Sequence, residues 1–244
     1  MNWTDVYTAY LEADWREKGK DRKEDCFHCS EIGYCPRKAI FRRIGIKFVP
    51  DPGKLRRLRQ GTLMHNDWEH GMVEALQGLV DVETQLDEWL PEGWSGTADC
   101  VLTIDGGEII DWKTVNPNAF RYASEFPKEA DCLQLGMYWG AYERKTGQTI
   151  ERGKIIYVPL GVYDDPIEVS VDPSWKDEAL RVAAVFDHYW EEYQTAEVLP
   201  PPPSPELKTN KKNPAGVWQQ SWECSPAYCL LRQNNYCEGG PTHP

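Results

Sequence analysis

The sequence predicts a mixed α/β domain followed by a cysteine-bearing tail, and three observations support this prediction. The chain has 244 residues, of which 41% are hydrophobic and 27% are charged, so it can form a folded core. Helix-like and strand-like patterns alternate along the chain. Near its centre, Asp105-Gly106-Gly107 separates two strand-like runs, which is a strong signal for a β hairpin.

Helical periodicity is visible in the segments 3–18, 36–44, 54–77, 127–146 and 173–197. Pro36 is placed early in the second segment, where a missing N–H is tolerated. Gly147 lies just past the end of the fourth segment, where it can end the helix.

Strand-like patterns occupy residues 79–86, 97–104, 108–114, 154–160 and 166–171. The run Pro200–Pro203 marks a linker. The tail beyond it has little periodicity and needs some form of cross-link to be ordered. The order is therefore helices, three strands, a helix, two strands, a helix and the tail.

Charge is segregated along the chain. The net charge is -12, which by itself argues against a nucleic-acid partner. Residues 37–59, however, hold nine Lys or Arg and only one acid, a local net charge of +8. Such a stretch can contact phosphates, although a solvated helix face is an alternative interpretation. The candidates for contacts to a nucleic-acid backbone are Arg37, Arg42, Arg43, Arg56, Arg57 and Arg59.

The hydrophobicity pattern of the sequence argues against a membrane-spanning protein and against a secreted protein. No apolar run approaches the roughly 20 residues of a membrane helix, so no membrane partner is expected. The first 15 residues are acidic and mixed, unlike a secretory signal. We therefore expect a cytoplasmic protein of a bacterial, archaeal or phage-infected cell.

The hairpin carries the main chemical signal. Asp99 lies on its first strand, and Asp111 and Lys113 lie on its second strand. Because strand side chains alternate, Asp111 and Lys113 project from one face while Trp112 points to the other. The hairpin can bring the two carboxylates together, and a shared cation would relieve their repulsion. Oxygen ligands of this type suit Mg²⁺ or Mn²⁺.

Two further motifs accompany the hairpin. Gln134 and Tyr138 are four residues apart and share one helix face, and His65 ends the run Gly61-Thr62-Leu63-Met64-His65. With Gly96-x-x-Asp99 and Asp111-x-Lys113, this set resembles the PD-(D/E)XK nuclease superfamily, in the RecB-like branch that includes AddB-type, CRISPR-associated RecB-like and phage exonucleases. The resemblance extends from about residue 29 to 237.

The resemblance implies a restriction-endonuclease-like fold and a role for each motif residue. It implies metal ligation by His65, Asp99, Asp111 and the carbonyl of Trp112. It implies that Lys113 is catalytic and that Gln134 and Tyr138 lie beside the reacting strand. Glu83 and Glu69 are weaker candidates, the latter as a partner that orients His65. Phe120, Tyr122 and Phe126 are equally consistent with base stacking and with core packing.

Six of the eight cysteines lie near the ends of the chain, three within residues 26–35 and three within 224–237, which in a reducing compartment indicates metal ligation. The resemblance extends to an iron–sulfur variant of the same nucleases, which implies a 4Fe–4S cluster held by Cys35, Cys224, Cys229 and Cys237. The cluster would clasp the tail to the N-terminal segment. A four-thiolate Zn²⁺ site is the main alternative, and Cys26 and Cys29 could compete as ligands. Cys100 and Cys132 are expected to be buried structural residues.

These expectations divide the chain into an N-terminal helical segment (1–60), a nuclease core (61–198) and a linker with the cluster tail (199–244). The function implied is a Mg²⁺- or Mn²⁺-dependent deoxyribonuclease, an exonuclease acting on single-stranded DNA or DNA ends. The alternative is a non-catalytic module that binds DNA ends through the same fold and cluster. The expected partner is DNA, with a homo-oligomer or a recombination or repair protein also possible.

Overall fold

The computed structural model describes residues 2–21, 23–46, 49–117, 120, 127–161, 165–200, 206–210, 213–219 and 229. Its helices are α1 (Trp3–Asp21), α2 (Pro36–Arg43), α3 (Pro52–Leu76), α4 (Glu129–Thr146) and α5 (Trp175–Ala196). Its strands are β1 (Phe27–His28), β2 (Val80–Gln85), β3 (Trp94–Ser95), β4 (Thr97–Leu102), β5 (Glu108–Val115), β6 (Arg152–Pro159), β7 (Ile167–Val171), β8 (Glu206–Asn210) and β9 (Asn213–Gln219). Each helix and strand predicted from the sequence is present, with ends shifted by a few residues.

A five-stranded sheet in the order β2-β4-β5-β6-β7 forms the centre of the fold. β5 and β6 are parallel, and the other neighbouring pairs are antiparallel. A parallel pair needs a crossover connection, and α4 lies within that connection. The predicted mixed sheet flanked by helices is therefore confirmed.

The predicted hairpin joins β4 and β5. Cys100 pairs with Ile110 and Leu102 pairs with Glu108. The turn needs left-handed backbone conformations, with a φ of 50° at Asp105 and 83° at Gly106. Asp and Gly tolerate these conformations, which is why this short sequence determines the turn.

Helices cover the two faces of the sheet. On one face, Trp68 and Met72 of α3 pack against Cys100, Ile110 and Trp112. On the opposite face, Gln134 of α4 reaches β5. The sheet therefore holds both helices against the middle strands, where the chemical motifs lie.

The ends of α3 and α4 are set by local capping. Asp51 accepts a hydrogen bond from the backbone N–H of Lys54 at 3.0 Å, and Pro52 follows it at the first helical position. Gly147 ends α4 with a φ of 70°, and its N–H donates to the carbonyl of Glu143 at 2.8 Å.

Two pairs of strands were not predicted. β1 and β3 form a parallel pair of two residues each, too short for a period-two pattern to be recognised. β8 and β9 form an antiparallel pair in the region that the sequence assigned to the linker and tail. Their pairing is set by contact between the two strands rather than by a pattern within either.

The chain forms two compact units, residues 1–33 with 49–185, and residues 34–48 with 186–244. The first contains the central sheet. In the second, the Arg43 guanidinium carbon lies 4.1 Å from the centre of the Trp190 ring, and Arg37 Nε donates to the Pro200 carbonyl. The sequence-based boundaries at 60 and 198 stay predictions. No described helix has the length and hydrophobicity needed to cross a membrane.

Candidate active site

Alternation along β5 separates its polar and apolar side chains. Asp111 and Lys113 face α4, where both contact Gln134. Trp112 points to the other face, where its ring packs at 72° against that of Trp68, with centroids 4.4 Å apart. The period of two therefore places a carboxylate and an amine side by side while the residue between them anchors the strand to α3.

A continuous set of polar contacts joins β5 to α4. Lys113 Nζ lies 2.7 Å from Asp111 Oδ2 and donates to Gln134 Oε1 at 2.9 Å. Gln134 Nε2 donates to Asp111 Oδ1 at 3.3 Å and to the Tyr138 hydroxyl at 3.1 Å. The structure thus brings together four of the residues that the sequence motifs singled out, because Gln134 and Tyr138 share the helix face turned towards β5.

Asp99 lies where β4 and β5 separate, one residue beyond the Cys100–Ile110 pair. Its Oδ2 accepts a hydrogen bond from the backbone N–H of Trp112 at 2.9 Å. His65 of α3 approaches the same atom, with Nδ1 at 3.8 Å, and also bonds to the Trp112 backbone. The imidazole, the Asp99 carboxylate and the Trp112 main chain therefore meet at one point.

Burial raises the pKa of Asp111, although the charge of Lys113 opposes that shift. Burial likewise raises the pKa of Asp99. Burial alone would lower the pKa of Lys113, but the carboxylates of Asp111 and Asp99 more than offset it and hold the pKa above its usual range. Burial, reinforced by the charge of Lys113, lowers the pKa of His65 and so favours the neutral imidazole.

A second acidic pair borders this point. Glu83 of β2 shares a hydrogen bond with Glu69 of α3. Although Glu83 is exposed at the rim of a cavity, neighbouring protein atoms displace enough water to raise its pKa to about 7, and the Glu69 and Asp99 charges add to this effect. The structure thus brings both weaker candidates close to His65 and Asp99.

Sequence reasoning missed one buried pair, Asp131 and Tyr157. Tyr157 is the β6 partner of Lys113, and its hydroxyl donates to Asp131 Oδ2 at 2.9 Å. The Asp131 carboxylate helps to hold the pKa of Lys113 high. The available signal was its spacing, because Asp131 precedes Gln134 by three residues and therefore lies on the same face of α4.

The donor set fits a hard divalent cation. A neutral imidazole, two carboxylates and a main-chain carbonyl are ligands that Mg²⁺ and Mn²⁺ accept. Asp111 Oδ2 is buried and accepts no hydrogen bond of good geometry, although Lys113 is close to it. Within the described part of the chain, however, no three His, Cys, Asp or Glu side chains form a ready-made metal site. Side-chain movement would therefore be needed to bring His65, Asp99 and Asp111 around one ion.

Two open cavities border these residues. The larger, of about 680 Å³, is lined by side chains of α3 and β2, including His65 and Asn66. The other, of about 420 Å³, reaches Asp99 and Tyr138. Glu83 lines both, so the cavities adjoin at the candidate site.

The predicted cluster ligands are described only in part. Cys35 precedes α2 and Cys229 lies in the tail, and both belong to the second compact unit. Cys224 and Cys237 lie outside the described residues. Cys26 and Cys29 are buried in the first unit, and burial raises the pKa of the Cys29 thiol. Cys100 and Cys132 are buried, as predicted.

The six predicted DNA-contacting arginines are divided between the units. Arg56 and Arg57 are exposed on α3, where Arg59 is half-buried. Arg37, Arg42 and Arg43 of α2 are all half-buried in the second unit. Their role in DNA binding stays a prediction.

Of the three aromatic candidates for base stacking, one lies within the described residues. Phe120 is buried with 8% of its surface exposed, which favours core packing. Tyr122 and Phe126 lie outside the described residues.

No protein-family model matches the chain, and no curated protein matches it. Several solved structures resemble it, and two examples follow. SSO0001 is 16% identical, with 75% of this chain and 86% of that chain covered and a TM-score of 0.54. An alkaline exonuclease, LHK-Exo from Laribacter hongkongensis, is 13% identical, with 72% and 94% covered and a TM-score of 0.50. The chain therefore shares its fold with these two proteins, one of which is an alkaline exonuclease.

Proposed function

We propose that this protein is a divalent-metal-dependent deoxyribonuclease of the PD-(D/E)XK type. The observations that carry the proposal are the approach of His65 to Asp99 and the contact of Lys113 with Asp111, on the neighbouring strands β4 and β5. The fold shared with an alkaline exonuclease supports the same reaction class. By the same resemblance we propose an exonuclease that acts on single-stranded DNA or DNA ends.

His65, Asp99, Asp111 and the Trp112 carbonyl would hold the metal ion. When bound, such an ion supplies an activated water and stabilises the negative charge that develops on the scissile phosphate. The neutral imidazole of His65 is the form that can donate an electron pair to a cation. Trp112 holds the Asp99 carboxylate in position through its N–H.

Lys113 has a distinct role in this proposal. Its high pKa keeps the amine protonated at neutral pH, so it can donate a hydrogen bond to a phosphate oxygen and orient the attacking water. Gln134 holds the amine at 2.9 Å and the Asp111 carboxylate at 3.3 Å. Gln134 therefore fixes the separation of these two groups, and Tyr138 in turn fixes Gln134.

The test is Asp111→Asn, which keeps the shape of the side chain but removes its charge. We expect cleavage of single-stranded DNA with Mn²⁺ to fall by about a hundredfold or more, because even outer partners of metal sites contribute 10–100-fold. Asp105→Asn, in the exposed turn of the hairpin, is the matched control and should leave cleavage unchanged. Cleavage by Asp111→Asn at the rate of the unaltered protein would refute the proposed site.

The alternative function is DNA-end binding without catalysis. It would be recognised by a gel shift of single-stranded DNA with no degradation in Mn²⁺. Degradation that EDTA abolishes favours the enzyme. The contact of Lys113 with the fully buried Asp111 carboxylate favours the enzyme, because binding alone gives no reason to bury this pair of charges.

We further propose a 4Fe–4S cluster held by Cys35, Cys224, Cys229 and Cys237. The assignment of Cys35 and Cys229 to one compact unit supports it. Anaerobically purified protein should be brown, with about four irons per chain, as a four-thiolate cluster requires. Cys35→Ala should lose the visible absorption, whereas Cys132→Ala, at a buried residue in α4, should keep it. A colourless protein that contains zinc would favour the alternative site.

A further inference from the structure

The smaller of the two cavities lies directly beside Asp99. Its walls come from the residues just before β1, the short 3₁₀ turn Cys29–Glu31, the end of β2 and the start of β4. Its volume of about 420 Å³ is within the range of sites that hold small organic molecules, roughly 300–1,000 Å³. Any molecule bound there would be adjacent to a phosphodiester at the proposed metal site.

The walls of this cavity are held by defined contacts. Asp87 accepts a hydrogen bond from the Gly96 N–H at 2.9 Å and forms an ion pair with Lys23. Thr97 Oγ1 donates to Gln85 Oε1 at 3.0 Å. These contacts join the segment before β1 to the end of β2 and the start of β4. The shape of the cavity is therefore fixed by hydrogen bonds and an ion pair between these elements.

Gly96 brings the backbone of β4 close to the neighbouring elements. A Cβ atom at this position would lie 2.6 Å from the Tyr138 ring and 2.9 Å from Cys29 Sγ. A larger residue would push β4 away from α4. Glycine at this position therefore sets the distance between the cavity wall and Tyr138, which contacts Gln134.

The charge of the cavity limits what it can bind. Glu83, Asp87 and Asp99 line it, and its cation Lys23 is already paired with Asp87. A phosphate group would be repelled by the remaining carboxylates. The hydroxyl and amide groups of Ser30, Thr97 and Gln85 suit a neutral, polar molecule.

We propose that this cavity holds the sugar and base of the nucleotide that adjoins the scissile phosphate. The inference rests on the proposed nuclease function and names a subsite of that enzyme. A pocket for one nucleoside beside the metal site would position the scissile phosphate one nucleotide from the nucleoside that it binds.

The test uses a set of single-stranded oligonucleotides, each with one abasic residue placed at successive positions from either end. With the unaltered protein and Mn²⁺, an abasic residue at one particular position should lower kcat/KM by about tenfold, in line with the loss of a fitted group from a pocket. Penalties at other positions should be smaller. The sensitive position identifies the nucleoside that occupies the cavity.

Ser30→Trp provides the decisive comparison, because Ser30 is an exposed residue at the wall and the large ring should fill the cavity. In this variant the abasic penalty should fall to below about twofold, since the base no longer has a pocket to occupy. Gln148→Trp, at an exposed position just after α4, is the matched control and should keep the penalty. If thermal unfolding shows that Ser30→Trp does not fold, Gln85→Trp fills the same cavity from β2.

The outcomes separate this inference from the proposed function. If the unaltered protein does not cleave any unmodified strand in Mn²⁺, the nuclease proposal fails. If it cleaves but shows no position-specific penalty, or if the cavity-filling variant retains the full penalty, the cavity is not a nucleoside site.

Discussion

Glu83 combines an unusual backbone conformation with an unusual charge environment. It lies in β2 between the Val82–Cys100 and Thr84–Ala98 pairs, yet its φ is 45°. A left-handed conformation at a non-glycine residue costs on the order of 1–3 kcal/mol and is typical of functional sites. Here it accompanies a carboxyl group that shares a hydrogen bond with Glu69 beside the candidate site.

Glu83→Gln should stabilise the metal-free protein at high pH. The pKa of Glu83 is raised from 4.5 to about 7 in the folded state, so the folded state binds a proton more tightly than the unfolded state does. The free energy of unfolding contributed by this group is therefore present below pH 4.5 and is lost as the pH rises towards and through 7. Glutamine removes that dependence.

The measurement is the Tm in EDTA at pH 5 and pH 8. The gain in Tm of Glu83→Gln over the unaltered protein should be larger at pH 8. Glu88→Gln, at an exposed residue of the 3₁₀ turn after β2, is the control and should change Tm equally at both pH values. A gain for Glu83→Gln that is equal at pH 5 and pH 8 would contradict the assigned environment.

Among the elements, α3 positions two parts of the site. Its buried face packs through Trp68 on Trp112, and one turn earlier it presents His65 to Asp99. The helix starts at a defined residue because Asp51 caps it and Pro52 follows. The capped start and the packing of Trp68 on Trp112 together fix the position of α3, and therefore the position of His65 relative to Asp99 on β4.

Asp51→Ala should destabilise the protein by about 1 kcal/mol, the usual contribution of an N-cap side chain. Asp51→Asn should retain most of the stability, because asparagine caps equally well. Chemical denaturation in urea measures both variants. If the asparagine variant loses as much stability as the alanine variant, then the charge of Asp51 stabilises the protein, and the capping hydrogen bond does not.

At the scale of the whole molecule, the chain is acidic, but α3 carries exposed arginines. These arginines belong to the same compact unit as the central sheet. Arg56 and Arg57 precede His65 on the same helix. A net charge of -12 repels DNA in general, so local cations near the site would determine where a strand can approach.

The double variant Arg56→Gln/Arg57→Gln should weaken binding of single-stranded DNA in EDTA and make it less sensitive to salt. If each arginine contacts one phosphate, the slope of log K against log salt should become less negative by about 1.4, at roughly 0.7 per contact. Fluorescence anisotropy between 50 and 200 mM salt measures it. Arg181→Gln, at a cation paired with Glu178 on α5, should leave the slope unchanged.

The sequence by itself determined the parts of this protein that depend on local backbone periods. The period of two in β5 places Asp111 and Lys113 on the same face of that strand. The helical period places Gln134 and Tyr138 on the same face of α4, and the Asp-Gly-Gly turn joins β4 to β5.

Only the tertiary structure decided the contacts between separate elements. The approach of His65 to Asp99, the Tyr157–Asp131 pair behind Lys113, and the cavity at Gly96 join segments far apart in the chain. No short-range pattern specifies such contacts, because they depend on how α3 and α4 pack on the sheet. Side-chain volume across the whole core sets that packing.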